Sequence, residues 1–556
     1  YQLGMDSYTS HYQDIFEYGH RGGTGEITNY GVTSRTANSL LTMVYTWKIN
    51  QDLNFTALIG NEFNERNRKI YNEYGSTFNF GGWAHIQNAK IVQANEEQYK
   101  DRTVGFFGNL SLDYKGMLYF NATGRQDYVS TMPRDNNAFF YPSASLGFVL
   151  TELESLNDLP VLSFAKVRAS YAEVGQAGEY LVNFYTTPDY SGGFWGGSPI
   201  QYPVAGISAY LSNNIQYDPN LKPQNTKSYE LGTELKFFNN RIGIDYAYSY
   251  QKVTDQIFQV PLAASTGASS LVMNGGELHT NAHEIMLYAS PFSGKKFSWD
   301  INVNFSKINN FVDALAPGVE SIFLGGFVTP QVRAGIGSTY PVIYGSSFLR
   351  DDNGNIIVYD EPGEWYNGFP QQGEPKVIGE ASPDFILGFS NKLTYDNFTL
   401  TATVDWKNGG QMYAGTNGLL DLYGVSKNVE DRESTFIYPG VKPDGTPNDI
   451  VRGGADDPDA YQDLITGVLT GIDEYYIQNN SFVKLRELTL NYRLPKQVIK
   501  NVDLELSVYA RNILIWTELP NFDPESSQGN NNMGGSFERF SMPQTSSFGF
   551  GVNLNF

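Results

Sequence analysis

From Ser546 onward the chain places Phe548, Phe550, Val552, Leu554 and Phe556 at every second position, with Gly549, Gly551, Asn553 and Asn555 between them. Successive strand residues point to opposite faces, so such a segment has one apolar, aromatic face and one small, polar face. A half-buried strand of a soluble protein looks the same, but here the pattern recurs along the whole chain. Tyr229, Leu231, Thr233, Leu235 and Phe237 alternate with Glu230, Gly232, Glu234 and Lys236, and after Phe238-Asn239-Asn240-Arg241 the alternation resumes from Ile242 to Tyr250. Asn tolerates the left-handed backbone of a tight hairpin. The same grammar joins Leu41–Ile49 to Leu53–Ile59, and Phe385–Phe389 to Phe398–Trp406. Nowhere do about 18 apolar residues run together, which excludes a transmembrane helix. A β-barrel is the other structure that satisfies its backbone hydrogen bonds in lipid. The expected fold is all-β, a transmembrane antiparallel β-barrel.

Composition narrows the function. Aromatic residues make up 15% of the chain, enough for the girdles of such a barrel. A net charge of −21 argues against a nucleic-acid partner, whose phosphates would be repelled. Cysteine is absent, so thiolate metal sites and disulfides are excluded. Tyr1-Gln2-Leu3-Gly4-Met5-Asp6 lacks the basic start and apolar run of an export signal, which is expected to lie upstream or to have been removed.

Counting alternating segments gives about 15 strands, separated by short connections and by long ones at 65–101, 175–226, 309–380 and 409–480. Outer-membrane barrels keep short turns in the periplasm and long loops outside. On that rule residues 1–36 are expected to be an extracellular loop segment, and 37–556 the C-terminal part of a barrel. An odd strand count would leave an open edge, so the remaining strands and a plug are expected outside this chain, within a barrel of about 22 strands. Trp47 and Trp299 fall at periplasmic strand ends and Trp406 and Trp516 at extracellular ones, where girdles sit.

Several segments resemble the SusC/RagA-type TonB-dependent transporters of the Bacteroidetes. They are Phe164–Ala172, the run Pro219-Asn220-Leu221-Lys222-Pro223 through Gly232, Asn239-Asn240-Arg241 with Lys252–Asp255, Ser481–Tyr492 with Leu494-Pro495, and Ala510–Leu514 with Asp523-Pro524-Glu525. Ala282 departs from the family's usual glycine. The resemblance implies a plugged 22-stranded barrel in the outer-membrane lipid. It implies import of a large nutrient, an oligosaccharide or oligopeptide, under a SusD-like surface lipoprotein, powered by the TonB complex through an N-terminal region of the same protein. A passive or ligand-gated porin is the alternative within the membrane, and a secreted β-rich binding or adhesion protein the alternative outside it.

Chemical motifs are sparse. His279 and His283 share one face of a strand and read as lumen or loop-edge residues rather than as a metal pair. Asp351-Asp352-Asn353-Gly354-Asn355 offers oxygen ligands, but the glycine is at the wrong place for a calcium loop and a tight turn fits better. No G-x-S-x-G elbow, P-loop or cysteine nucleophile is present, so no catalysis, metal or cofactor is expected. The candidate ligand contacts are loop aromatics: Trp83, Phe194 and Trp195 within Gly192–Gly197, and Trp365 with Tyr366. Flat rings cover sugar faces or grip peptide side chains at low entropic cost. They serve equally to pack loops together. Glu230, Glu234, Asp245, Asp300, Asp405 and Arg511 are expected to face the plug or lumen.

Overall fold

Among the described residues, sixteen strands form one antiparallel sheet whose spatial order follows the chain. They are β1 (Gln2–Phe16), β2 (Glu26–Lys48), β3 (Leu53–Phe78), β4 (Ala89–Tyr114), β5 (Leu118–Val129) and β6 (Ala138–Val149). Next come β7 (Leu162–Gln176), β8 (Gln224–Phe237), β9 (Ile242–Thr254), β10 (Glu277–Ser293) and β11 (Phe297–Ala314). The last five are β12 (Phe385–Tyr395), β13 (Phe398–Asn408), β14 (Phe482–Arg493), β15 (Asp503–Thr517) and β16 (Ser547–Asn555). This computed structural model describes residues 1–156, 159–180, 185–186, 206–207, 211–212, 214–495, 503–519, 522–528 and 534–555.

Turn chemistry sets the short connections. Lys115 and Gly116 both take positive φ in the three-residue connection between β4 and β5, and Phe238, Asn239 and Asn240 do so between β8 and β9. Register then sorts side chains by face. Across β2, β3, β4 and β5, Trp47 pairs with Phe55, Phe55 with Leu112 and Leu112 with Phe120, while Tyr45, Ala57, Leu110 and Ala122 form the next row. In β16, Phe550 opposes Val508 and is 82% exposed, as an apolar face turned to lipid must be. Phe550→Arg puts a guanidinium in that face and lowers barrel stability by about 2–4 kcal/mol, whereas Asn553→Arg on the polar face costs under about 1 kcal/mol. Denaturant unfolding in lipid vesicles measures both, and equal losses would reverse the assigned facing.

Two sequence expectations are corrected. Residues 1–36 are not a loop: β1 pairs with β2 from Gln2↔Leu40 to Phe16↔Glu26. The sheet therefore has sixteen strands rather than about 15, and the odd-count argument for an open edge falls. Likewise most of 65–101 is strand, since β3 and β4 stay paired from Leu53↔Tyr114 to Phe78↔Ala89. Strand portions beyond lipid have water on both sides and need no apolar face, so hydrophobic alternation cannot reveal them; their ladder hydrogen bonds hold them.

The chain divides into two compact units, Tyr1–Gly147 with Ser170–Lys227 and Val253–Gly275, and the remainder. The first has a small core of Met132, Leu221 and Val272 beneath Tyr180, Tyr217 and Ile257. The second contains larger cores, built from loops.

Candidate functional site

Within the second unit, the insertions between β11 and β12, β13 and β14, and β15 and β16 fold together instead of hanging as separate loops. The first carries a four-stranded sheet of Ser321–Gly326, Gln331–Gly335, Val342–Phe348 and Gln372–Glu380. A second small sheet joins Gln411–Ala414 to Ile477–Asn479 and to Phe537–Glu538, so two insertions share backbone hydrogen bonds. Phe348, Phe369, Val429, Ala460, Leu464, Ile465, Leu469 and Ile472 form one core, and Val332, Ile343 and Phe537 another. Burying these side chains fixes the insertions as one body, since each of the larger ones contributes roughly 1.5–3 kcal/mol on leaving water.

Several polar groups inside this body are paired. The buried Asp473 carboxylate accepts the Ser346 backbone N–H at 2.9 Å and lies 3.0 Å from the Ser346 hydroxyl. Burial pushes its carboxyl up and the Ser346 hydrogen bonds oppose that only in part. Glu538 accepts the Thr416 hydroxyl at 2.7 Å. Asp351 closes a tight turn by accepting the backbone N–H groups of Asn353 and Asn355, with Gly354 at φ 85°, in agreement with the turn reading of that motif.

The candidate aromatics have different fates. Trp365 is 48% exposed, meets Tyr366 edge-on at 5.5 Å and lies over Gly467, where a Cβ would come within 2.7 Å of the indole. Gly467 thus allows the close seat that holds this ring at the surface. Tyr366 packs against the core, 4.6 Å from the Tyr359 ring, and donates its hydroxyl to Glu361 at 2.7 Å. That bond pushes the phenol up to about 12. Tyr366 is therefore a packing residue, and Trp365 the exposed one. In the first unit, Trp83 sits at the β3–β4 tip, stacked on His85 at 5.0 Å and Phe80 at 5.9 Å. Asn88 fixes this tip by donating to the carbonyls of Phe80 and Trp83, both at 2.8 Å. Phe194 and Trp195 lie outside the described residues.

On the polar face of the sheet, the charged residues singled out from sequence find partners within the wall. Arg168 bridges Glu230 at 3.2 Å and Asp245 at 2.9 Å. Glu234 pairs with Lys236 at 2.9 Å, Arg511 with Glu487 at 3.1 Å, and Asp300 accepts the Ser290 hydroxyl at 2.6 Å. Asp405 pairs with Arg486 at 2.7 Å, and Arg486 also holds Glu525 of the last insertion. Lys484, two residues earlier, meets the same Glu525 carboxylate at 2.8 Å and Gln544 at 3.0 Å. These groups clip the insertion to the wall.

Sequence reasoning misplaced the histidines. His283 is 3.0 Å from the Tyr246 hydroxyl and 5.0 Å from the Tyr248 ring, while His279 stacks on Tyr250 and Phe311 and pairs with Asp313 at 2.8 Å. Both share a face with Ile285 and Leu287, so they belong to the aromatic belt of the apolar face rather than to a lumen. Among the described residues no group of three His, Cys, Asp or Glu could hold a metal.

Comparison with known proteins agrees with this architecture. Residues 1–513 match the family model described as TonB dependent receptor-like, beta-barrel. TonB-dependent receptor P3 of Formosa agariphila is 27% identical over 506 residues, covering 84% of this chain and 47% of the relative. TonB-dependent receptor SusC of Bacteroides thetaiotaomicron is 23% identical over 528 residues, covering 90% and 48%. The solved RagAB peptide transporter superposes with a TM-score of 0.74 at 16% identity, covering 99% of this chain and 59% of that chain. This chain thus spans about half the length of the curated relatives it matches. These relatives are receptors and transporters rather than enzymes, and their barrels lie in the outer membrane. A sheet with one aromatic face and one polar face, surface insertions folded on it, and a family match over most of its length lead to one assignment: the chain belongs to the TonB-dependent receptor-like β-barrel family.

Proposed function

We propose that this chain supplies barrel wall and surface platform to a TonB-dependent importer of a large nutrient, an oligosaccharide or oligopeptide. The plug and the remaining strands come from outside the chain, the long insertions face the exterior, and a SusD-like lipoprotein closes over them. The observation that carries this reading is the insertion body of the second unit, with its own cores and a sheet shared between insertions. A preorganised surface can seat a partner without the entropic cost of ordering loops. Trp365, held over Gly467, is an aromatic contact this surface offers to cargo or partner.

The test uses the full-length transporter in cells. Uptake of labelled oligosaccharides or oligopeptides stops when TonB is deleted, and the lipoprotein copurifies with the transporter. Trp365→Ala weakens capture by roughly tenfold, within the usual range for an aromatic anchor. Flux that persists without TonB would replace this reading with a passive porin.

A further inference from the structure

Facing lipid in the first unit, the apolar rows end abruptly in a basic rim. Above the Trp47 and Tyr45 rows, Met43, Ile59, Gly108 and Gly124 align, then Leu41, Asn61, Phe106 and Gln126, then Ser39, Phe63, Val104 and Tyr128. The next row on the same face is Ala37, Glu65 and Arg102, followed by Arg35, Asn67 and Lys100, then Thr33, Lys69 and Gln98. Glu65 is shared by Arg102 at 2.6 Å and Lys100 at 3.1 Å, and Lys69 pairs with Glu96 at 2.8 Å. Arg35 is exposed and makes no ion pair among the described residues. Four cations thus face two carboxylates, a local excess of positive charge in a chain of net charge −21.

One row below this rim lies a groove of about 550 Å³. Gly108 leaves its floor bare and the Phe140 ring lies over Gly124, while Met43, Ile59 and Phe106 stand around it. A Cβ at Gly108 would meet only the Leu58 carbonyl, at 3.6 Å, so the space above that glycine is open. From Arg102 to Gly108 is six residues, or ~20 Å along the strand, and a tilt near 40° makes that ~15 Å of depth. That is the thickness of one leaflet, half of a ~30 Å hydrocarbon core.

We infer that this face binds an acylated lipid of the outer leaflet with a phosphate-bearing head group: the phosphate sits on Arg35, Lys100 and Arg102, and an acyl chain lies in the Gly108–Gly124 groove. Basic side chains at the interface attract anionic heads, and a groove one leaflet deep matches a chain hanging from that head.

Native mass spectrometry of the full-length transporter in neutral detergent tests this with dimyristoyl phosphatidic acid and dimyristoyl phosphatidylcholine as probes. The phosphatidic acid is retained at least about tenfold better. Retention falls roughly tenfold to a hundredfold when Arg35, Lys100 and Arg102 are all changed to Gln. Gly108→Leu, which fills the groove, also reduces it, and both variants melt like the parent in lipid-free detergent. Equal retention of the two lipids, or retention unmoved by both sets of substitutions, overturns the site. Competition by inorganic phosphate alone would reduce it to a soluble-anion site, and a retained second copy of the transporter in place of lipid would make it a protein interface; either result rejects the lipid.

Discussion

Phe369→Ala unfolds the insertion body locally while leaving the strand wall intact, at a cost of about 3–5 kcal/mol. The ring is 0% exposed and packs among Phe348, Val429, Leu464 and Leu469. It stacks on Phe436 with a centroid distance of 6.3 Å, and the Arg452 guanidinium lies 4.2 Å from its centroid. Arg452 in turn donates to Asp457 and to the Asn367 carbonyl, both at 2.6 Å, so truncation opens a cavity and removes the face on which a nearly buried cation rests. Hydrogen exchange on the full-length transporter measures the effect. Amides of Val342–Phe348 and Gln372–Glu380 should exchange faster by about two to three orders of magnitude, with β14 unchanged. Wild-type protection in those two strands would show that the insertions do not share one core.

The wall was legible because lipid imposes a rule on sequence. Lipid-facing positions are mostly apolar, so period-two alternation located fifteen of the sixteen strands, and Asn239-Asn240 marked a turn. β1 escaped because Gln2–Phe16 alternates nothing: Asp6, Ser7, Thr9, Ser10 and Gln13 are wet on both faces. One irregularity was written in the sequence and missed. Leu485 and Leu488 are three apart instead of two, and the structure has a bulge there against β13, with Val404↔Leu485 followed by Thr403↔Glu487. The extra residue is Arg486. The bulge frees its side chain to reach Asp405 and Glu525 beside Lys484, while Leu488 returns to the apolar face.

The insertion body was not legible for a different reason. Its core residues come from separated segments, such as Phe369, Val429 and Ile472, each flanked by turns and short elements with no period to expose. Trp365 and Tyr366 illustrate the limit. Adjacent in sequence and identical as candidates, they are separated by tertiary packing alone, one ring left at the surface and the other drawn against the core. The histidines lie on the other face from the lumen: their polarity suggested the lumen or a loop edge, but an aromatic belt at a lipid boundary accepts a ring with a polar edge.

Glu525→Ala releases the third insertion from the wall. Lys484 is 2% exposed and relies on Glu525 at 2.8 Å, on Gln544 at 3.0 Å and on Asp523 at a longer 3.5 Å. Removing the carboxylate leaves a buried ammonium and the Arg486 guanidinium short of a shared partner, a loss of about 3–5 kcal/mol, whereas Glu525→Gln keeps the shape and costs less. The pH dependence has a definite sign. Burial pushes the Glu525 carboxyl up, but hydrogen bonds from Arg486 and Lys484 outweigh it and hold the group below its ordinary value. A depressed carboxyl contributes stability that is fully present above the unfolded-state value and is lost as the pH falls through the folded one. Acid therefore loosens the segment between Leu519 and Ser546 in the parent, and Glu525→Ala shows that loosening already at neutral pH with little further acid dependence. Limited proteolysis of this segment across a pH series reads both effects. Cleavage rates that match the parent at every pH would mean that Asp523 and Gln544 suffice to hold Lys484, and the clip would lie elsewhere.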